Sequence, residues 1–159
     1  GRHVTWMPSY GPEMRGGTAY CSVVVSECPV GSPIVTANAT SLIVMNLPSL
    51  DRFEQSVVPG GLILLNRSLI DREVGRKDVV VHALEATTMA AQCGDPRAAN
   101  MIMLGAYMAL MGTPRQRHVE EAFSLVFGSG SSTTLNLNRK ALRCGFDSVS
   151  TEAAIRKAA

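Results

Sequence analysis

Leu42–Asn66, LIVMNLPSLDRFEQSVVPGGLILLN, decides the fold. Two uninterrupted apolar runs, Leu42-Ile43-Val44-Met45-Asn46 and Leu62-Ile63-Leu64-Leu65-Asn66, flank a stretch of helical character from Pro48 to Val57, and Pro59-Gly60-Gly61 supplies the return. Apolar runs without alternation suit strands covered on both faces, and a helix between two of them makes a βαβ unit with parallel strands. Such crossovers are right-handed, which puts the connecting helix on one face of the sheet. Parallel strands also end on the same edge, so Asn46 and Asn66 are expected at the carboxyl edge, where open α/β sheets hold their ligand crevice. A third strand, Asp78 to His82, would bring His82 near that edge if it too is parallel. The competing reading is structural: both asparagines cap helices or turns, and His82 is a packing residue.

Upstream, an extended start at His3-Val4-Thr5-Trp6 leads into PSYGPEMRGGT, Pro8 to Thr18. Its prolines fix φ, its glycines permit angles that other residues avoid, and Ser9, Tyr10, Glu13 and Arg15 add polar and charged groups beside Gly16 and Gly17. A strand from about Thr18 to Ser26 follows, and Cys28-Pro29-Val30-Gly31-Ser32-Pro33 ends it. A loop held between two strands is where binding groups are carried; the plainer alternative is an Ω-like loop packed by its own side chains.

Downstream the chain reads as helical. Leu84 to Cys93 is stopped by Gly94, Asp95 caps a new helix with Pro96 at its first position, and Arg97 to Met111 is apolar almost all round. Gly105 within it would permit close approach of a neighbour. Gly112 ends this helix and Thr113-Pro114-Arg115-Gln116 reads as a capping box. The next helix sets Val119, Ala122, Phe123 and Val126 on one stripe. Gly128 to Ser132 is a flexible connection, and a last helix from about Thr134 to Arg143 ends at Cys144-Gly145. Residues 147–159 are expected to form a weakly ordered tail with a short helix from Thr151.

The 159 residues, 46% of them apolar, suffice for one core, so a single domain over 1–159 is expected. A net charge of +2 from scattered cations argues against nucleic acid and against an anionic membrane surface. Met101 to Met111 is too short to span a bilayer, and the first residues run straight into a strand pattern without a signal sequence, which suggests the cytoplasm. Cys21, Cys28, Cys93 and Cys144 form no paired spacing and His3, His82 and His118 complete none, so no metal site is expected and the thiols are read as buried and reduced. No nucleophile elbow or phosphate loop is present, and no catalytic residue is assigned. These features fit a subunit better than a complete enzyme.

HVTWMPSYGPEMRGGTAYCSVVVSECPVGSPIV, LIVMNLPSLDRFEQSVVPGGLILLN and ANMIMLGAYM closely resemble the γ subunit of 2-oxoacid:ferredoxin (acceptor) oxidoreductases, equivalent to the γ domain of pyruvate:ferredoxin oxidoreductase. The resemblance runs from His3 to about Gly145. It implies an α/β fold with a mixed, largely parallel sheet flanked by helices and a helical C-terminal part, lacking the first strand and helix of the family. It also implies a complex that oxidatively decarboxylates a 2-oxo acid on thiamine diphosphate, forms acyl-CoA and reduces ferredoxin. Thiamine diphosphate, Mg and iron–sulfur clusters then belong to α, β and δ partner subunits, none to this chain. By the same resemblance Ser9, Tyr10, Glu13, Arg15, Gly16 and Gly17 face the partner subunits or CoA, with Arg15 suited to pair with a phosphate or a carboxylate. A free-standing small-molecule module around Asn46 and Asn66 and a purely structural packing subunit are the alternatives. Isolated chains are expected to self-associate through the Met-rich helix.

Overall fold

A computed structural model describes residues 1–9, 19–35, 37–127 and 132–158. Strands β1 (His3–Ser9) and β2 (Tyr20–Ser26) form an antiparallel pair, with Val4 opposite Val25 and Trp6 opposite Val23. Strands β3 (Ala39–Val44), β4 (Val57–Asn66) and β5 (Val80–Leu84) form a separate parallel sheet in that order. The parallel sheet flanked by helices is therefore present, while the antiparallel strands stand apart from it as a two-stranded sheet of their own.

β4 is the central strand. Leu62, Ile63, Leu64 and Leu65 are all buried, which is why this segment is apolar without alternation. Ile63 and Leu65 face a cluster with Val44, Leu50, Val57 and Ile70, on the side of helix α1 (Leu47–Phe53). Leu64 faces the other cluster, with Leu84, Ala86, Ala90, Ile102 and Met103, on the side of the C-terminal helices. Each such side chain withdrawn from water contributes roughly 1.5–3 kcal/mol before chain entropy is offset.

Pro59-Gly60-Gly61 is part of β4 and not the loop expected before it. The crossover returns earlier, through a 3-10 turn at Glu54–Ser56, and the glycines serve inside the strand, Gly60 at φ +77° and Gly61 where main chains crowd. A Cβ on Gly61 would lie 2.9 Å from Val58 O and 3.0 Å from Thr40 O, beside a register shift in the β3–β4 ladder between Ala39 and Ser41.

Helix α2 (Ala86–Cys93) ends at Gly94, and Asp95 caps a 3-10 turn, Pro96–Ala98, that feeds α3 (Ala99–Met111). Gly112 adopts φ +66° after α3, the left-handed stop the sequence indicated. Helix α4 (Gln116–Phe127) begins beyond Pro114, and Gln116 Nε2 donates to Glu120 Oε1 at 2.8 Å instead of reaching back to Thr113. The expected capping box is therefore not formed. On α4 Val119 and Phe123 are buried against Met108 and Leu142, whereas Ala122 and Val126 are exposed.

Helix α5 (Ser132–Ala158) passes straight through Cys144-Gly145, so the expected stop and separate short helix are corrected to one helix of 27 residues. Gly145 is there for packing: a Cβ would lie 2.0 Å from Ile102 O of α3. Gly105 answers from the other side, 1.9 Å from Leu142 O, so it does admit a close neighbour.

Candidate functional site

The parallel sheet sends its carboxyl edge toward the start of α2. Asn46 lies just past the end of β3, and its Oδ1 accepts from Ser49 N at 3.0 Å, capping α1. Asn66, the last residue of β4, is fully buried. Its Nδ2 donates to Thr87 Oγ1 at 3.0 Å and Met45 O at 3.4 Å, and its Oδ1 accepts from Thr87 N at 3.4 Å. Both asparagines thus stand at the predicted edge, one spent on a helix cap and one on tying β3 and β4 to α2. His82 lies inside β5 opposite Leu64, half-buried; it is not at the edge because the strand runs on to Leu84.

The solvent side of this edge carries a polar rim that sequence reasoning missed. Ser68 Oγ donates to Glu85 Oε2 at 3.1 Å and accepts from Thr88 N at 3.2 Å, while Thr88 Oγ1 donates to the same carboxylate at 3.4 Å. The signal available was position alone, since Ser68 and Glu85 follow the ends of β4 and β5. These groups can hold a polar ligand by hydrogen bonds but do not form an acid and base pair aimed at a common point.

The opposite end of the sheet holds a buried carboxylate. Glu54 Oε2 accepts from Arg72 Nη2 at 2.7 Å and its Oε1 from Gly75 N at 2.6 Å and Arg76 N at 3.2 Å. Burial opposes its ionisation, yet the hydrogen bonds from Arg72 and the Gly75 amide outweigh it and hold the carboxyl below its ordinary 4.5. Arg72 also pairs with Asp51 at 3.0 Å, and Arg76 Nε with Asp78 Oδ1 at 2.9 Å. The network pins the segment before β5 onto the turn before β4, a scaffold role.

Of the loop predicted to carry binding groups, Tyr10, Glu13, Arg15, Gly16 and Gly17 lie outside the described residues. Ser9 ends β1 opposite Tyr20, so the loop leaves and rejoins a paired strand end. The Tyr20 ring packs on Phe53 with centroids 4.7 Å apart, and the Arg52 guanidinium sits 5.1 Å from the Tyr20 centroid and 5.2 Å from that of Phe53. This stack fastens the foot of the loop to α1. On the other face of the hairpin Val4, Trp6, Val23 and Val25 are 54–65% exposed. Val4 pairs with Val25 and Trp6 with Val23, so these side chains form one apolar face open to solvent.

A groove of about 310 Å³ between α3 and α4 is lined by Met101, Leu104, Val119 and Phe123 among others and lacks convergent polar groups. Among the described residues no set of three His, Cys, Asp or Glu could hold a metal ion. The four cysteines sit on β2, on the segment after it, on α2 and on α5, so the donor set does not fit an iron–sulfur cluster. Cys21 and Cys28 are exposed, Cys93 is buried and Cys144 half-buried, which restricts the expected burial to the helical pair. Among the described residues no helix is long and apolar enough to cross a membrane.

The sequence model of the family described as pyruvate ferredoxin/flavodoxin oxidoreductase matches residues 1–148. The chain belongs to this family. A relative in it is the ketoisovalerate oxidoreductase subunit VorA of Methanothermobacter marburgensis, 40% identical over 150 residues, 92% of this chain. The chain spans about 30% of that relative's length. The γ subunit of a keto/oxoacid ferredoxin oxidoreductase from Geobacter sulfurreducens superposes with a TM-score of 0.74 at 26% identity, covering 94% of this chain and 82% of that one. The fold also recurs in the 2-oxoglutarate:ferredoxin oxidoreductase of Magnetococcus marinus, with a TM-score of 0.80 at 19% identity over 95% of this chain and 26% of that one.

Proposed function

We propose that the chain is the γ-type part of a thiamine diphosphate-dependent 2-oxoacid:ferredoxin oxidoreductase, converting a 2-oxo acid and CoA to acyl-CoA, CO2 and reduced ferredoxin. It supplies no catalytic group. Thiamine diphosphate, Mg and iron–sulfur clusters are held by α, β and δ partners, and the complex works in the cytoplasm. The 40% identity to a ketoisovalerate oxidoreductase subunit favours a branched-chain 2-oxo acid over 2-oxoglutarate or pyruvate.

The observation that carries this reading is the outward face of the hairpin. Four apolar side chains of β1 and β2 are more than half exposed there, on the two strands that residues 10–18 join. Docking this face on the catalytic subunits would withdraw it from water and bring Tyr10, Glu13 and Arg15 to the CoA side of their active site, with Arg15 suited to a phosphate.

Co-expression with the α and β partners tests it. Trp6→Asp is expected to abolish co-elution on size exclusion and 3-methyl-2-oxobutanoate-dependent viologen reduction, while leaving the isolated chain's unfolding midpoint unchanged. Arg15→Ala is expected to raise KM for CoA about tenfold with assembly intact, the loss of one charge-assisted contact. Assembly and turnover of Trp6→Asp at wild-type level would sink the proposal.

A further inference from the structure

The thiols of Cys93 and Cys144 belong to no part of the site above, yet contacts between the end of α2 and α5 place them at one core cluster. Cys93 is the last residue of α2, and its carbonyl accepts from Lys140 Nζ of α5 at 3.1 Å. A Cβ on the following residue, Gly94, would stand 3.5 Å from Leu137 Cδ1, one turn earlier on α5. Leu137, Lys140 and Cys144 recur at the helical interval, so α5 turns one stripe toward the end of α2 and Cys144 falls next on it. Cys144 packs on the core cluster that contains Cys93.

We propose that Cys93 and Cys144 are a dithiol oxidation site: hydrogen peroxide converts them to an intramolecular disulfide that ties α2 to α5. Cys144, the half-buried member, reacts first. Its thiolate sulfur attacks the peroxide, the O–O bond breaks, and one water departs to leave a sulfenic acid. The Cys93 sulfur then attacks Cys144, the S–O bond breaks, and a second water leaves as the S–S bond forms. The two thiols lose two electrons and two protons in all, and the peroxide takes them up.

The surroundings set the speed. Burial raises the Cys144 thiol above its ordinary 9.0, the neighbouring Cys93 thiol and Asp147 carboxylate add to this, and Lys140 opposes it. Little thiolate is present at neutral pH, so reaction is slow and needs excess oxidant. The neighbour decides where it ends, at a reversible disulfide instead of a sulfinic acid.

The test uses the full chain, fully reduced, treated with excess hydrogen peroxide, blocked with iodoacetamide and digested for mass spectrometry. Exposed Cys21 and Cys28 serve as internal controls for oxidant delivery. A Cys93–Cys144 linked peptide is expected, reversed by dithiothreitol and at least tenfold more abundant than any link to Cys21 or Cys28. Cys93→Ser should leave Cys144 as a dimedone-trappable sulfenic acid. The wild-type digest needs no variant to fold. Oxidised Cys21 and Cys28 with Cys93 and Cys144 still alkylated would overturn the proposal, as would Cys144 sulfinic acid beside an intact Cys93 thiol.

Discussion

Gly105→Ala pushes a methyl group from α3 into the main chain of α5. The new Cβ would lie 1.9 Å from Leu142 O and 2.9 Å from Phe146 N, where ordinary contact begins at 3.4 Å. The obstacle is backbone, so no side chain can rotate away, and the helices must part by about 1.5 Å, enough to forfeit more than half of each dispersion contact across the crossing. Ile102, Met103, Ala106 and Ala141, at most 1% exposed, all lose packing. Overpacking costs typically about 1–3 kcal/mol, and against main chain that cannot rotate away about 3–4 kcal/mol. Alanine returns about 1 kcal/mol of helix propensity. The net loss is about 2–3 kcal/mol, which for a chain of this size lowers Tm by roughly 4–12 °C. Urea and thermal unfolding followed by circular dichroism measure it. Gly31→Ala, with nothing within 4 Å, is the neutral control. Gly145→Ala should cost as much, and the double variant less than the sum, because helices already parted by one methyl accommodate the second. A Gly105→Ala chain as stable as wild type, or more stable as propensity alone would make it, refutes the close crossing.

Two further outcomes concern the sheet ends. Asn66→Ala strands the partners of a buried amide and should cost about 1–3 kcal/mol in chemical denaturation; unchanged stability would mean the side chain serves a ligand and not the fold. Glu54→Gln should cost about 1–3 kcal/mol at pH 7. Because the folded carboxyl titrates below 4.5, its contribution is full above 4.5 and is lost as pH falls through the depressed value. The gap in urea midpoint between wild type and Glu54→Gln should therefore close in acid, and a gap constant from pH 7 to the acid limb would contradict the hydrogen-bonded carboxylate.

The parallel sheet and most helices were legible because Leu62–Leu65 and the Gly94 and Gly112 stops are local signals. What escaped was the purpose of other glycines. Gly61 and Gly145 carry the letters of a turn and a stop, yet they sit inside a strand and a helix where another backbone passes, and only the fold shows that neighbour. Gly105 was readable because an apolar helix leaves glycine little other reason. At the edge, position was foreseeable and use was not: Asn46 and Asn66 stand where parallel strands put them, but their partners Ser49 and Thr87 were not foreseen. The Glu54 network joins residues 18 to 22 apart through a segment without periodicity, and no spacing rule reaches it.

The outer edges of β3 and β5 have no strand partner among the described residues. Neither ATSLIV nor VVHAL contains the proline or lysine with which sheet margins commonly repel strangers. A strand margin beside Ile43, Val80 and Val81, each at least 40% exposed, is an open template. Storage of the chain by itself is then limited less by unfolding than by strand-to-strand stacking, a hazard that grows with concentration and not with temperature alone.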